Sequence, residues 1–571
     1  MADALRTVLR TWVCLSLGSL ISAASAAPVE PIKGSIAAAL EPDSRLDISR
    51  SEMDALRSVY GARGYEPFWL SNGRATTQAT QMLQVLYDAP SYGLSPEDYA
   101  VDTLQSGGQS SLKAMASQGR FDVALSAAAL RFAEHLHVGR VTARQVDFDL
   151  PAPTALNASV LLPELTAAQQ VSATLARYEP QSPYYRLLKE TLVLYREKAS
   201  NRRLTDLPAL PRPTLEPGEL YSGVPQLREL LFTVGDLAAA NPDASQTFVY
   251  DDALALAVAR FQRRHGLEAD GRLGRLTLAA LTVPLEHRVR QIELALERWR
   301  WLPVLPSPLV VINVPQFMLF AFPYPGDVAS IPLEIPVIVG RPHTRTPIFV
   351  SSIESVVFRP YWDVPYNIAT KELLPLIRRN PDYLTQHHME IVEGQGDDAR
   401  VVEPTPKRIA ALASGKSRLR QRPGPDNALG LIKFVMPNRY SIYLHDTPQE
   451  ELFGAPRRTF SHGCIRVASP AVLAEYVLRE TPGQWTDASI EAAMCGSETL
   501  RVPLKKPIRV MVLYATALAT TTHGVLFFDD IYGHDRRLEA ALESAGFGSP
   551  TPRRINRMGR TDVMNESTKR P

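Results

Sequence analysis

Apolar residues recur at intervals of three and four up to about residue 300, and the period then shortens to that of strands. Met53, Leu56 and Tyr60 mark the first helix, with Ser51 as the expected N-cap and Gly61 and Gly64 as its break. A second helix is predicted over 75–89, ended by Pro90 and Gly93. Ser95 and Pro96 open another start, with proline at the first helical position. Phe121, Leu125, Leu130, Phe132 and Leu136 predict a long amphipathic helix over 121–138, and Tyr185, Leu188, Leu192 and Tyr195 one more. His135 and His137 lie two apart, on different sides of their helix, and are read as surface residues rather than metal ligands.

The proline-rich stretch 201–222 reads as a connector. Three short helical segments follow: one from Val224, one over 253–265 capped by Asp251, and Leu276–Leu281. The middle one has Leu254, Leu256, Val258 and Phe261 as its apolar face. Residues 286–301 form a helix with Val289, Ile292, Leu296 and Trp299 on one side, stopped by Pro303, that bridges into the next domain. Its Arg298-Trp299-Arg300-Trp301 run reads as packing and rim rather than a nucleic-acid surface.

From Leu309 short β-type runs take over: 309–314, 318–322, 335–339 and 355–358. Many short strands with little helix between them point to an antiparallel or barrel-like β domain. Residues 366–420 interrupt it as a charged, helical insertion (Ile368–Arg379, Arg408–Leu419), placed to cover a site. Strands resume at 431–435. Pro437-Asn438-Arg439 then turns the chain into a run ending at His445. A helix over Pro470–Leu478 and closing strands at 504–514 and 524–528 follow, and the polar stretch 547–571 is expected to be disordered. The fold class is therefore α+β and multidomain: a helical region 27–205, a linker 206–222, a small three-helix module 223–285, and a mainly-β domain 286–546 with a helical lid at about 366–420.

Composition changes this picture little. The 571 residues suffice for about four domain-sized units. A net charge of +2 gives no case for nucleic acid. The N-terminus does add information. Arg6 and Arg10 precede the apolar run Trp12–Ile21 and an Ala24-Ser25-Ala26 cleavage pattern, so 1–26 is expected to be a signal peptide, with an uncleaved anchor as the alternative. The chain is then exported to the periplasm or cell envelope and peripheral to a membrane at most. Removal of the signal leaves two cysteines, Cys464 and Cys495, which could form a disulfide. His387 and His388 are adjacent and share no helix face, so no metal site is expected there. Gly415-Lys416-Ser417 lacks the first glycine of a phosphate loop.

The chemistry concentrates in 440–467. Cys464 is preceded by Ser461-His462-Gly463 and faces His445, nineteen residues upstream. A nucleophilic cysteine needs a base or cation to form its thiolate. His462 sits across a tight turn at Gly463 and reaches the thiol poorly. His445 ends a strand and can return onto it. The pattern His445, fifteen residues, then Ser461-His462-Gly463-Cys464-Ile465-Arg466 resembles the signature of the YkuD-type L,D-transpeptidases. Asn313-Val-Pro-Gln-Phe317, Val339-Gly340, Thr346-Pro347 and Pro360–Pro365 follow the order of segments in that domain, although Arg359 and Asp363 depart from it. Phe261-Gln262 with Gly266-Leu267, Asp270-Gly271 and Gly274-x-x-Thr277 resembles the small peptidoglycan-binding domain. Relatives with an N-terminal scaffold domain carry a capping subdomain where the lid is placed here.

The resemblance implies Cys464 as nucleophile and His445 as base, with Ser461, His462 and Gly463 shaping the site. It also implies Arg466, Tyr443, Trp362 and Asn427 as substrate-binding residues. The N–H groups of Gly463 and Cys464 are the expected oxyanion donors. Asp446 could orient His445 or stay at the surface. Arg466 could grip a carboxylate or serve in a structural ion pair. The implied reaction joins peptidoglycan stem peptides through a Cys thioester, with loss of D-Ala and a 3→3 cross-link, and needs no cofactor or metal. Other cell-wall synthesis proteins are possible partners. The alternatives are L,D-carboxypeptidase action, attachment of a protein to the wall, or a non-catalytic wall-binding scaffold.

Overall fold

The computed structural model describes residues 30–548 except 45, 111–113, 201–205, 239–247, 326–330, 381 and 395–398. The expected signal peptide and the tail from 549 lie outside the described residues, as does Gly396 of the lid.

The helical region packs around α1 (Met115–Val138). Asp122, fully buried on this helix, accepts from the N–H groups of Phe68 and Trp69 and from the Tyr60 hydroxyl. Buried carboxylates persist only with such partners. The preceding helix Arg50–Ala62 begins earlier than expected: Ser49, not Ser51, is its N-cap, in a reciprocal capping box with Glu52. His135 is also not a surface residue. It is buried against Tyr99, whose hydroxyl lies 2.9 Å from Nδ1. Helix α2 (Pro183–Ala199) follows as expected.

In the three-helix module, Asp251 caps α3 (Asp252–Arg264). Leu256 faces solvent and Ala257 takes the inner position. The module's recurring residues hold one knot. The buried Gln262 amide donates to Asp270, to the Arg272 carbonyl and to Thr277, and its oxygen accepts from Gly271 N–H. The stretch read as a linker joins this unit: Thr214–Leu215 pairs with Leu273–Gly274, and Leu215 is buried.

Helix α4 (Leu285–Trp299) runs between all these units. It is buried on nearly every side, and its charges are buried with it. Glu297, fully enclosed, pairs with Arg140 of the helical region and with Arg300. Glu293 pairs with Arg196 of α2 and with Arg290, and Arg298 pairs with Asp535 near the C-terminus.

The β domain is built from β1 (Leu309–Asn313), β2 (Met318–Phe322), β3 (Leu333–Gly340) and β4 (Phe349–Phe358), with β5 (Trp362–Asp363) leading into the lid. The lid is not all helix. It contributes β6 (Met389–Glu393), β7 (Arg400–Val402) and β8 (Arg418–Gln421), which with β5 form a four-stranded sheet ordered β7-β6-β8-β5. Alternating apolar residues such as Ile391 and Leu419 on one face of that sheet pack on Leu374 and Ile377 of the lid helix. After the lid come β9 (Ile432–Val435), β10 (Leu444–His445), β11 (Thr459–Ser461), β12 (Ile465–Val467) and β13 (Leu500–Leu513). The large sheet runs β11-β3-β12-β10-β9-β4-β13-β1-β2, and β2 pairs back onto β3, so it closes as a barrel. Three pairings are parallel (β10–β12, β11–β3, β13–β1), so the sheet is mixed rather than antiparallel. Two helices beyond those expected, Asp487–Cys495 and His534–Ser544, flank it. The expected closing strand near 524 instead forms a hairpin with Ala517–Thr520 whose Phe527 packs in the core shared with α3 and α4.

Candidate active site

Strand alternation sorts the residues around Cys464. Leu444 pairs with Ile465 across the parallel β10–β12 ladder, and both are fully buried in the barrel core. Their neighbours Tyr443, His445, Cys464 and Arg466 therefore project from the opposite face. His445 is the ladder partner of Arg466 and the diagonal neighbour of Cys464. On the other side of β10, His445 pairs with Lys433 of β9, whose own neighbours Ile432 and Phe434 point into the core. One face of three strands thus presents thiol, imidazole, guanidinium and ammonium together.

His445 is 4 % exposed. Its Nδ1 lies 2.5 Å from the Asp446 carbonyl oxygen. A carbonyl only accepts, so Nδ1 carries the proton and Nε2 is the basic nitrogen left for the thiol. Burial lowers the imidazole pKa to about 3, and the charges of Arg466 and Lys433 push the same way. Burial raises the Cys464 thiol, against the Tyr443 hydrogen bonds and the Lys433 and Arg466 charges, which pull it down. In the resting site both partners are therefore neutral. The thiol donates to the Ser441 carbonyl at 3.9 Å.

The turn before Cys464 is braced from several directions. Gly463 has φ +115°, and its N–H donates to Ser461 Oγ at 3.1 Å. Ser461 Oγ in turn donates to the Cys464 carbonyl at 2.5 Å. Thr346, buried in the loop between β3 and β4, donates to the Gly463 carbonyl at 2.8 Å. Tyr532 holds the same corner, donating to Gly340 O at 2.6 Å. Thr346 and Tyr532 escaped the sequence reading of the site. Threonine 346 carried a signal, since Thr-Pro had been placed in the domain's segment order, whereas nothing local marks Tyr532.

Several expectations need correction. The Gly463 N–H is engaged by Ser461, so of the two expected oxyanion donors the Cys464 N–H is the one to retain. Asn427 is 1 % exposed. Its amide donates to the Arg422 carbonyl at 2.9 Å and its oxygen accepts from Leu429 N–H at 2.8 Å, so it organises its loop. The Asp446 carboxylate accepts from the N–H groups of Leu431 and Thr447, and only the backbone carbonyl of this residue orients His445. His462 points to the lid: Nε2 lies 2.8 Å from Glu372, within the π-helical turn Ala369–Leu373.

Trp362 lies near Tyr443, bringing the lid's β5 beside the sulfur's ladder partner. Arg466 donates to Gln449 at 2.8 Å rather than to a carboxylate. Lys433 had not been singled out. Its Nζ sits 4.1 Å from the Tyr443 ring centre. Cys464 and Cys495 are both free thiols, so the disulfide alternative falls. Among the described residues no group of histidine, cysteine and carboxylate side chains is arranged to hold a metal, and no helix is long and apolar enough to cross a membrane.

Three sequence-family comparisons meet these units. Residues 307–484 match the L,D-transpeptidase catalytic domain of YkuD type, residues 222–281 match a domain described as "Putative peptidoglycan binding domain", and residues 54–192 match a Scaffold domain. A Haemophilus influenzae protein described as "Putative L,D-transpeptidase" is 34% identical over 233 residues, which is 41% of this chain and 45% of that protein. The match thus spans less than half the length of this curated relative. Along one polypeptide the chain thus has, in order, regions similar to a scaffold domain, a peptidoglycan-binding domain and a YkuD-type L,D-transpeptidase catalytic domain.

Proposed function

We propose that this protein is an exported, cysteine-dependent L,D-transpeptidase of the cell envelope that makes 3→3 cross-links between peptidoglycan stem peptides. The observation that carries the reading is the shared face of β10 and β12, where His445, with only Nε2 basic, is the diagonal neighbour of Cys464. His445 Nε2 takes the thiol proton as the sulfur attacks the carbonyl of the third residue of a tetrapeptide stem. The tetrahedral oxyanion is met by the Cys464 N–H, a donor in place before the reaction. Collapse of this intermediate breaks the bond to D-Ala, whose amine leaves with the proton from His445. The amine of a second stem then attacks the thioester, passes its proton to His445, and releases Cys464 as the cross-link forms.

Arg466, Tyr443 and Trp362 line the approach, and the lid reaches the catalytic turn through the Glu372–His462 pair. The lid favours an amine acceptor over water, because exclusion of solvent protects a thioester from hydrolysis. The matched peptidoglycan-binding unit and the N-terminal signal pattern support a cell-wall location reached by export.

Intact-mass analysis of residues 27–571 incubated with muropeptide tetrapeptides, beside Cys464→Ala, tests the reading. A dimer and free D-Ala, both absent with Cys464→Ala, are expected. Tripeptide without dimer would make the acceptor water. No turnover with binding retained would leave a wall-binding scaffold.

A further inference from the structure

Lys433 is the charged residue nearest the reacting face that the reaction above leaves without a task. It lies on β9, directly opposite His445, and projects from the same face as Cys464, His445 and Arg466. Its Nζ stands 4.1 Å from the ring centre of Tyr443, and Tyr443 is the residue one step beyond Leu444 that faces Cys464 across the ladder. The ammonium is thereby held on the aromatic face beside the sulfur. Among the described residues no salt bridge joins it to a carboxylate: Asp363, on β5, pairs with Arg418 of the lid. The charged and titratable groups facing Lys433 from the elements around it are Cys464, His445 and Arg466 on the neighbouring strands, Tyr443, Asp363 on β5, and Arg501 on β13.

We infer that Lys433 is a positioning residue whose fixed ammonium holds negative charge on the Cys464 sulfur, doing for the nucleophile what a preformed thiolate–imidazolium pair would otherwise do. The need for such a group follows from the site's burial. His445 is kept neutral, so no imidazolium stands ready beside the sulfur, and desolvation opposes the thiolate. A cation fixed on a β-strand is the remaining source of stabilisation; burial lowers the pKa of this ammonium, and the charges of Cys464 and Asp363 pull it back up. Arg466 shares the face, but its guanidinium is tied to Gln449. The inference rests on Cys464 being the nucleophile, and its test does not require transpeptidation.

The full chain from residue 27 with Cys495→Ser leaves Cys464 as the single thiol. Its alkylation by iodoacetamide is followed by intact mass between pH 6 and 10, giving the thiol's titration midpoint directly. Lys433→Met and Lys433→Gln are expected to raise that midpoint by about one pH unit and to slow alkylation at pH 7 about tenfold, the size expected for losing one cation a few ångströms away in a partly buried site. Lys433→Arg is expected to keep it. An unchanged midpoint in either neutral variant overturns the inference. So does a Lys433→Arg protein with the raised midpoint of the neutral variants, since position rather than charge would then be at work. If Lys433→Met fails to fold, judged by circular dichroism, Lys433→Gln decides. Failure of D-Ala release with a normal alkylation profile would instead count against the proposed reaction and leave this inference standing.

Discussion

Gly463 shows how a single position can set the geometry of the site. Its φ of +115° belongs to backbone that side chains rarely tolerate, and a Cβ there would stand 3.2 Å from Ile442 Cδ1. Gly463→Ala is expected to leave the protein folded. It should lower kcat/KM for D-Ala release by about tenfold to a hundredfold, the equivalent of roughly 1–3 kcal/mol of strain at the turn. A steady-state assay paired with a melting curve checks both halves. His445 gives a prediction of sign. Its imidazole, lowered to about 3, is already unprotonated throughout the neutral range, whereas the thiol is raised. kcat/KM should therefore show no acid limb near 6.5 and should climb as pH rises through the alkaline range, which a pH–rate profile reads directly. Cys464 and His445 were legible in the sequence because spacing and residue types are local. Lys433 and Tyr532 were not, because what matters about them is a ladder register and a tertiary hydrogen bond.

Among the elements, α4 departs furthest from its sequence reading. The pattern gave its length and apolar side, and read its arginines as packing and rim. In the fold its charged residues meet partners from three other parts of the chain, Arg140, Arg196 and Asp535, and such partners cannot be foreseen from a helix's own period. Glu297→Ala leaves the Arg140 and Arg300 charges buried without their partner. It should cost about 3–5 kcal/mol, seen as a lowered denaturation midpoint. The lid offers a contrasting case. Glu372 and His462 are both partly exposed, so Glu372→Ala should hardly change stability. A few-fold change in KM with kcat nearly constant is expected if this contact sets how the lid rests on the catalytic turn, and steady-state kinetics separate the two. The lid's strands were missed because short charged segments such as Arg418–Gln421 alternate too weakly to stand out from helix.

At the scale of the molecule, several histidines among the described residues are held neutral by burial: His135, His445 and His534, each with its pKa lowered to about 3, and His265, lowered well below its ordinary value. In the unfolded chain they titrate near 6.5. The unfolded state then binds more protons than the folded one below that pH, so stability is complete above about 6.5 and falls as pH drops toward 3. Melting temperature should hold between pH 8 and 7 and decline increasingly below 6.5, a trend that differential scanning fluorimetry across pH would reveal. His135 lies in the helical region, and His445 and His534 in the β domain, so the loss should appear in more than one unit of the chain. The order of units was readable from changes of period along the sequence. Their joining was not, because it depends on buried charges and on a terminal hairpin that packs away from the barrel.

The closing of the barrel bears on when the protein can become active. β1 is held between β2 and β13, with Leu309 in register with Arg509. Strands so distant in sequence form late, since the intervening chain must first be brought together. A chain emerging from its amino end can assemble the helical units early, but the barrel lacks a central stave until residues past 500 have arrived. The catalytic turn at 461–464 is made well before that and has no wall to rest against. Synthesis and delivery of the polypeptide thus act as a timer, and the nucleophile is assembled only once nearly the entire chain is present.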